Sequence, residues 1–126
     1  MQNKLLFDNT FFSDYESEVT GGRNGPARRF LQNAAGADII VSVVTIAEYY
    51  ERFGRAKSAR MAASYTTLGI HYADAIKCGE IQTRLAAKRL GENDAWLATQ
   101  AIRSGATLVT RDKRFKDVHG LSVAYY

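Results

Sequence analysis

The sequence has little cysteine and no long apolar run, and each shortage excludes a class of protein. Cys78 is the only cysteine among 126 residues, so no internal disulfide can form and a reducing compartment is expected. The longest apolar stretch, Ile39–Val44, is far shorter than the roughly 20 residues that a membrane helix needs. Met1–Phe7 is likewise too short an apolar segment for a signal peptide before Asp8 interrupts it. These features predict a cytoplasmic protein without a membrane partner.

Nucleotide-binding loops and zinc patterns are also missing. The glycine-rich stretch Gly21–Gly25 lacks the lysine and the spacing of a P-loop, and no Gly-x-Gly-x-x-Gly occurs. We therefore expect no nucleotide cofactor. His71 and His119 have no cysteine or histidine at metal-binding spacing, so we interpret both as structural residues.

The charge balance is mildly basic. Lys and Arg number 17 against 13 Asp and Glu, which gives a formal net charge of +4. Such a surface favours polyanionic partners such as RNA, although many proteins of other function are equally basic. The positions of the acidic residues therefore matter more than the sum.

The remaining sequence alternates short strands with helices. Strands are predicted at Lys4–Phe7, Asp38–Val43, Thr107–Thr110 and Ser122–Tyr125. Helices are predicted after Thr10 to about Val19, from Pro26 to Gly36, around Ile46–Phe53, and at Lys57–Leu68, Ala73–Leu90 and Glu92–Ser104, with an irregular basic segment at Arg111–Gly120. This order predicts an α/β fold, a single three-layer α/β/α domain spanning residues 1–126 with a mostly parallel central sheet.

Four acidic residues fall near the predicted carboxyl ends of the strands, where parallel sheets bind ligands. Asp8 directly follows the first strand, and Asp112 follows the strand Thr107–Thr110 by two positions. Glu48 lies early in the helix that leaves the second strand, and Asp94 lies in the first turn of a later helix. Whether Asp94 reaches the same edge depends on the path of the chain.

Each of these residues also has an ordinary structural explanation. Asp8 has the position of a helix N-cap, and Thr45 with Glu48 has the spacing of a capping box. Asp94 would complement a helix dipole, and Asp112 would form an Asx-turn. Four independent caps need not converge on one edge, whereas a functional site must.

Convergence of these carboxylates would require a counter-ion. Two carboxylates about 4 Å apart repel by several kcal/mol at an effective dielectric constant near 20. A divalent cation removes that cost, and ligands that offer only oxygen favour Mg²⁺ or Mn²⁺ over zinc. Such an ion can promote hydrolysis of a phosphodiester bond.

Four stretches resemble the four motifs of the PIN domain, in particular those of bacterial toxin ribonucleases of the VapC type. They are Leu5–Thr10, Val41–Glu48, Gly91–Ala98 and Leu108–Asp112. Each motif alone is weak, but the ordered set covers nearly the whole chain. The first motif departs from the common Asp-Thr-Asn, because this chain has Asp8-Asn9-Thr10.

The resemblance implies that Asp8, Glu48, Asp94 and Asp112 form the catalytic, metal-binding pocket of an Mg²⁺- or Mn²⁺-dependent endoribonuclease. Of the four, Asp8 and Asp94 are the two most expected to bind the metal directly. The resemblance further implies an RNA substrate, a homodimer and a cognate antitoxin protein, as in a type II toxin–antitoxin pair. Thr10 and Thr110 would hold the metal ligands in place without binding the metal themselves.

Three basic residues flank Asp112. Arg111, Lys113 and Arg114 would contact RNA phosphates beside the metal, unless they are simply a solvated charged loop.

Two other functions remain open. A phosphatase with an aspartyl nucleophile needs a second Asp two residues after the first, and position 10 is Thr. The second alternative is a non-catalytic PIN-like module that binds RNA or protein, which four filled acidic positions disfavour.

Overall fold

The computed structural model describes residues 3–126, which form a five-stranded sheet covered by helices on both faces. The strands are β1 (Lys4–Phe7), β2 (Asp38–Ser42), β3 (Thr66–Leu68), β4 (Thr107–Thr110) and β5 (Ser122–Tyr125). Their order is β3-β2-β1-β4-β5, and every neighbouring pair is parallel. The predicted α/β class with a parallel central sheet is therefore confirmed.

Helices cover both faces of the sheet. Successive side chains of a strand point to opposite faces, and apolar side chains lie on both. The helices are α1 (Asn9–Thr20), α2 (Pro26–Asn33), α3 (Val43–Phe53), α4 (Arg55–Ser64), α5 (Tyr72–Leu85) and α6 (Glu92–Ser104), with 3-10 turns at Ala86–Lys88 and Lys113–Asp117. Leu6 of β1 joins a buried cluster with α5 and α6, whereas Leu5 and Phe7 join a second cluster with α1 to α4. Both faces are thus buried, as is typical of parallel sheets.

Three predicted helices are wrong at their ends. The helix predicted from Pro26 to Gly36 stops at Asn33. The predicted helix Lys57–Leu68 stops at Ser64, and Thr66–Leu68 instead forms the edge strand β3, which pairs with β2. The predicted helix Ala73–Leu90 stops at Leu85, because Ala86 adopts a positive φ of 52° and begins a 3-10 turn. The second strand also ends one residue earlier than predicted, at Ser42, which caps α3.

The helices are all short. None of those in residues 3–126 has the length and apolar character required to traverse a lipid bilayer.

Candidate active site

The carboxyl edge of the sheet brings the four predicted acidic residues into one neighbourhood. Asp8 follows β1 and Asp112 follows β4, which are adjacent strands, and Glu48 lies on the helix that leaves β2. A helix between parallel strands runs antiparallel to them, so α6 begins at this same edge with Asp94 in its first turn. The charge of Asp94 raises the pKa of both Asp8 and Glu48, so its carboxylate lies near theirs.

Asp8 is the most firmly held of the four. Its side chain is 5% exposed, and its Oδ1 accepts a hydrogen bond from the backbone N–H of Phe11 at 2.8 Å, so it caps α1. Its Oδ2 accepts from the buried Thr110 hydroxyl at 2.5 Å. Burial raises the pKa of Asp8, the two hydrogen bonds oppose that rise, and Asp94 adds to it. Asp8 can therefore cap α1 and also belong to the group of four carboxylates.

Thr110 connects two of the predicted site residues. While donating to Asp8, its Oγ1 accepts a hydrogen bond from the backbone N–H of Asp112 at 3.1 Å. The end of β4 thereby fixes a carboxylate at the end of β1. Thr10, in the first turn of α1, makes no hydrogen bond to the four carboxylates within the described chain.

Glu48 is free of the capping role that the Thr45–Glu48 spacing suggested. The cap of α3 is Ser42, whose Oγ accepts from the N–H of Val44 at 3.0 Å, so the capping-box interpretation is wrong. Burial is the main cause that raises the pKa of Glu48, followed by the charge of Asp94, while the side chain of Asn93 lowers it. Glu48 therefore lies near the start of α6.

Asp112 and Asp94 share a positively charged neighbour. The guanidinium of Arg114 lies 2.5 Å from Asp112 (Nη2 to Oδ2) and 3.5 Å from Asp94 (Nη2 to Oδ2). Its hydrogen bond lowers the pKa of Asp112. Burial raises the pKa of Asp94, Arg114 opposes this, and Asp112 adds to it. Asp112 also caps the 3-10 turn that follows it, as the Asx-turn interpretation predicted.

The other two basic residues of this segment face different partners. Arg111 pairs with Asp14 at 3.3 Å, and the Lys113 ammonium lies 3.6 Å from the centroid of the Tyr125 ring. Asp14 also accepts a hydrogen bond from the hydroxyl of Tyr126 at 2.7 Å. The sequence analysis did not single out Asp14 or Asn93. Neither residue directly follows a strand, and neither lies at helical spacing from one of the four carboxylates.

The donor chemistry suits a hard divalent ion, although the ligands are not preassembled. Carboxylate oxygens are the ligands that Mg²⁺ and Mn²⁺ prefer, and the pKa values of Asp8, Glu48 and Asp94 are raised, mainly by burial and in smaller part by neighbouring carboxylates. Within residues 3–126, however, no three His, Cys, Asp or Glu side chains are arranged to hold a metal ion. The residues therefore fit such an ion in chemistry, and two of them, Asp94 and Asp112, are engaged by Arg114.

Comparison with known proteins identifies the family. The sequence model of the PIN domain family matches residues 17–121. The search of curated proteins gave no match.

Solved structures share the whole fold at low sequence identity. VapBC2 from Rickettsia felis, bound to a promoter DNA fragment, superposes with a TM-score of 0.74 at 20% identity, covering 98% of each chain. A toxin–antitoxin complex from Klebsiella pneumoniae gives 0.71 at 18% identity, covering 95% of each. VapC20 from Mycobacterium tuberculosis, described as a sarcin–ricin loop cleaving toxin, gives 0.60 at 15% identity, covering 94% of this chain and 98% of the other. At these identities the likeness shows a common fold.

Proposed function

This chain belongs to the PIN domain family, and from that premise we propose that it is a metal-dependent endoribonuclease that hydrolyses RNA phosphodiester bonds. The observation that carries the proposal is the group of carboxylates at the carboxyl edge, three of which have a raised pKa. Perturbed acids clustered at the ligand-binding edge of a parallel sheet are typical of catalytic sites.

In this proposal Asp8, Glu48, Asp94 and Asp112 are the catalytic residues and hold Mg²⁺ or Mn²⁺. When bound, the ion supplies positive charge that activates the attacking water and stabilises the phosphodiester oxygens. The Thr110 hydroxyl keeps Oδ2 of Asp8 in a fixed direction, which presets one ligand.

Arg111, Lys113 and Arg114 flank Asp112 in the sequence, and we assign them to the RNA phosphates. All three are accessible beside the carboxylates. Phosphate contacts of this kind orient a substrate without reading its sequence.

We further propose that the chain is the toxin of a type II toxin–antitoxin pair, with an antitoxin protein as partner. The support is the fold shared with VapBC2 and with the Klebsiella pneumoniae toxin–antitoxin complex. A homodimer and a cytoplasmic location are part of the same proposal. The buried, unpaired Cys78 is consistent with a reducing compartment.

The test is cleavage of total RNA by the purified chain with Mn²⁺. Asp8→Asn and Asp94→Asn should each lower the rate about 100-fold or more, because each replaces a proposed anionic metal ligand with a neutral amide. Chelation should stop cleavage, and added Mn²⁺ should restore it.

A matched control is Asp38→Asn, which neutralises a carboxylate at the amino end of β2, on the opposite edge of the sheet. This variant should cleave at the wild-type rate. Circular dichroism melting checks that all three variants are folded. Wild-type rates in folded Asp8→Asn and Asp94→Asn would disprove the assignment of the site.

One observation favours a second candidate, a non-catalytic module that binds RNA or protein. The described residues contain no ready-made group of metal ligands. The same experiment separates the two functions: RNA binding without Mn²⁺-dependent cleavage would support the module.

A further inference from the structure

Among the three basic residues that flank Asp112 in the described chain, Arg114 contacts the proposed metal ligands and the other two do not. Its Nε lies 3.0 and 3.1 Å from the two oxygens of Asp112, and its Nη2 reaches both Asp112 and Asp94. Arg111 and Lys113 are engaged with Asp14 and Tyr125 instead. The guanidinium of Arg114 therefore stands beside two of the four proposed metal ligands.

The backbone of Arg114 is fixed, whereas its side chain is free to leave. Phe115, the next residue, is fully buried and anchors the 3-10 turn in the core. The N–H of Arg114 itself donates to Oδ1 of Asp112 at 2.9 Å. The Arg114 side chain is nevertheless 68% exposed, so rotation about its own bonds would release the carboxylates without moving the turn.

We propose that the Arg114 guanidinium is the built-in counter-ion of this carboxylate group, and that a divalent cation must displace it from Asp94 and Asp112 in order to bind. The inference rests on the proposed function, since it concerns the same site.

Displacement has a consequence for the substrate. A guanidinium that loses its carboxylate partners is available to form two parallel hydrogen bonds with a phosphate group. Metal binding would therefore raise the affinity for RNA phosphate beside the ion, and RNA would raise the affinity for metal by the same factor. Arg114 thus couples the two ligands of the site.

The first experiment measures Mn²⁺ affinity by isothermal titration calorimetry at low salt. Arg114→Gln should bind Mn²⁺ about two- to fivefold more tightly than the wild type, the range that corresponds to the loss of one exposed ion pair. Lys116→Gln, which removes the same charge from an exposed position in the same turn, is the matched control and should change the affinity less. Arg114→Lys keeps the charge without the planar fork and should fall between the two.

The second experiment follows Arg114 directly. The arginine Nε–Hε signals of ¹⁵N-labelled protein are recorded during titration with diamagnetic Mg²⁺, and the Arg114 signal is assigned by its absence in Arg114→Gln. This signal should change with the same midpoint as Mg²⁺ binding measured by calorimetry, because the hydrogen bond from Nε to Asp112 is lost.

The outcomes separate this inference from the function. Equal Mn²⁺ affinity in the wild type and Arg114→Gln, or an Arg114 signal unchanged at saturating Mg²⁺, would overturn displacement, while metal-dependent RNA cleavage would still support the nuclease. Absence of metal binding in both proteins would overturn the metal site and this inference together.

Discussion

At the scale of single residues, the Thr110 hydroxyl has a larger role than its size suggests. It is fully buried, donates to Oδ2 of Asp8 and accepts from the N–H of Asp112. Thr110→Val keeps the volume but removes the donor, which leaves a buried carboxylate oxygen unpaired and raises the pKa of Asp8 further. We expect Mn²⁺ affinity at neutral pH to fall about tenfold, the lower end for loss of a group that orients a metal ligand. Calorimetry measures this change.

Thr110→Ser is the control for this substitution, because it retains the hydroxyl. It should bind Mn²⁺ nearly as well as the wild type. The loss in Thr110→Val should be larger at lower pH, since a further rise in the pKa of Asp8 lets protons compete better with Mn²⁺ for this carboxylate. Wild-type affinity in a folded Thr110→Val protein would show that the hydroxyl does not position Asp8.

The carboxylates of the candidate site and the supporting Thr110 were predicted from the sequence, whereas the pairing with Arg114 was not. Asp8 and Asp112 stand directly after apolar strands, and parallel strands end at one edge. The pairing of Arg114 with Asp112 has no periodic signal, because it arises in an irregular turn whose course depends on burial of Phe115. The Thr45–Glu48 spacing misled because Ser42, at the actual start of α3, already caps the helix.

At the scale of elements, a polar cluster of Glu16, Tyr49 and Lys57 ties α1 to α3 and α4. The Tyr49 hydroxyl donates to Glu16 at 2.8 Å, and Lys57 lies 3.3 Å from the same carboxylate. The hydrogen bond from Tyr49 is the main cause that holds the pKa of Glu16 below its ordinary value of 4.5. The folded state therefore binds fewer protons than the unfolded state in this range, and Glu16 stabilises the fold once it is ionised.

Glu16→Gln should consequently lower the free energy of unfolding at neutral pH by about 0.5 to 1 kcal/mol, the range for a partly exposed charge interaction. This difference should disappear as the pH falls through the lowered pKa of Glu16, because the wild type then loses the same charge. Urea unfolding at a series of pH values measures it. The exposed Glu80→Gln on α5 is the control, and an equal, pH-independent loss in both variants would contradict the prediction.

Strands and helices whose ends are marked in the sequence were predicted well. A strand whose extended form depends on pairing with another strand was not. The strand Thr107–Thr110 and the helix Glu92–Ser104 match the prediction, since Gly105, in the left-handed region with φ of 70°, ends that helix. The strand Thr66–Leu68 was missed because three residues carry no pattern, and its extended form depends on pairing with β2.

At the scale of the whole molecule, the proposed homodimer needs an apolar face, and exposed apolar side chains lie after β3 and on α5. Ile70, Tyr72 and Ile76 are 40%, 82% and 50% exposed, and the last two lie four residues apart on the same side of α5. Contiguous apolar patches are typical of interfaces between proteins, so these side chains are where we test the proposed homodimer. We expect the wild type to have twice the mass of one chain by light scattering, and Ile76→Asp to shift it toward the monomer.

Val19→Asp is the matched control, since Val19 is 47% exposed on α1, a different helix. It should leave the mass unchanged. A wild-type monomer at micromolar concentration, or a dimer unaffected by Ile76→Asp, would count against this face.

The toxin proposal makes the broadest prediction, because it concerns a cell. Expression of the chain alone in a bacterium should arrest growth, since unrestrained hydrolysis of RNA stops protein synthesis. Asp8→Asn should relieve the arrest and Asp38→Asn should not, because only the first lies at the carboxyl edge. Co-expression of a small protein encoded immediately upstream should also restore growth, as an antitoxin would.

Growth curves and immunoblots of the expressed chain decide between toxin and nuclease. Normal growth with the intact wild-type chain present, combined with Mn²⁺-dependent RNA cleavage in vitro, would reject the toxin and retain the enzyme. Arrest by wild type and by folded Asp8→Asn alike would mean that the effect does not pass through the carboxylates. Arrest by the wild type and by Asp38→Asn, but not by Asp8→Asn, would show that the effect on the cell depends on a carboxylate at the carboxyl edge of the sheet.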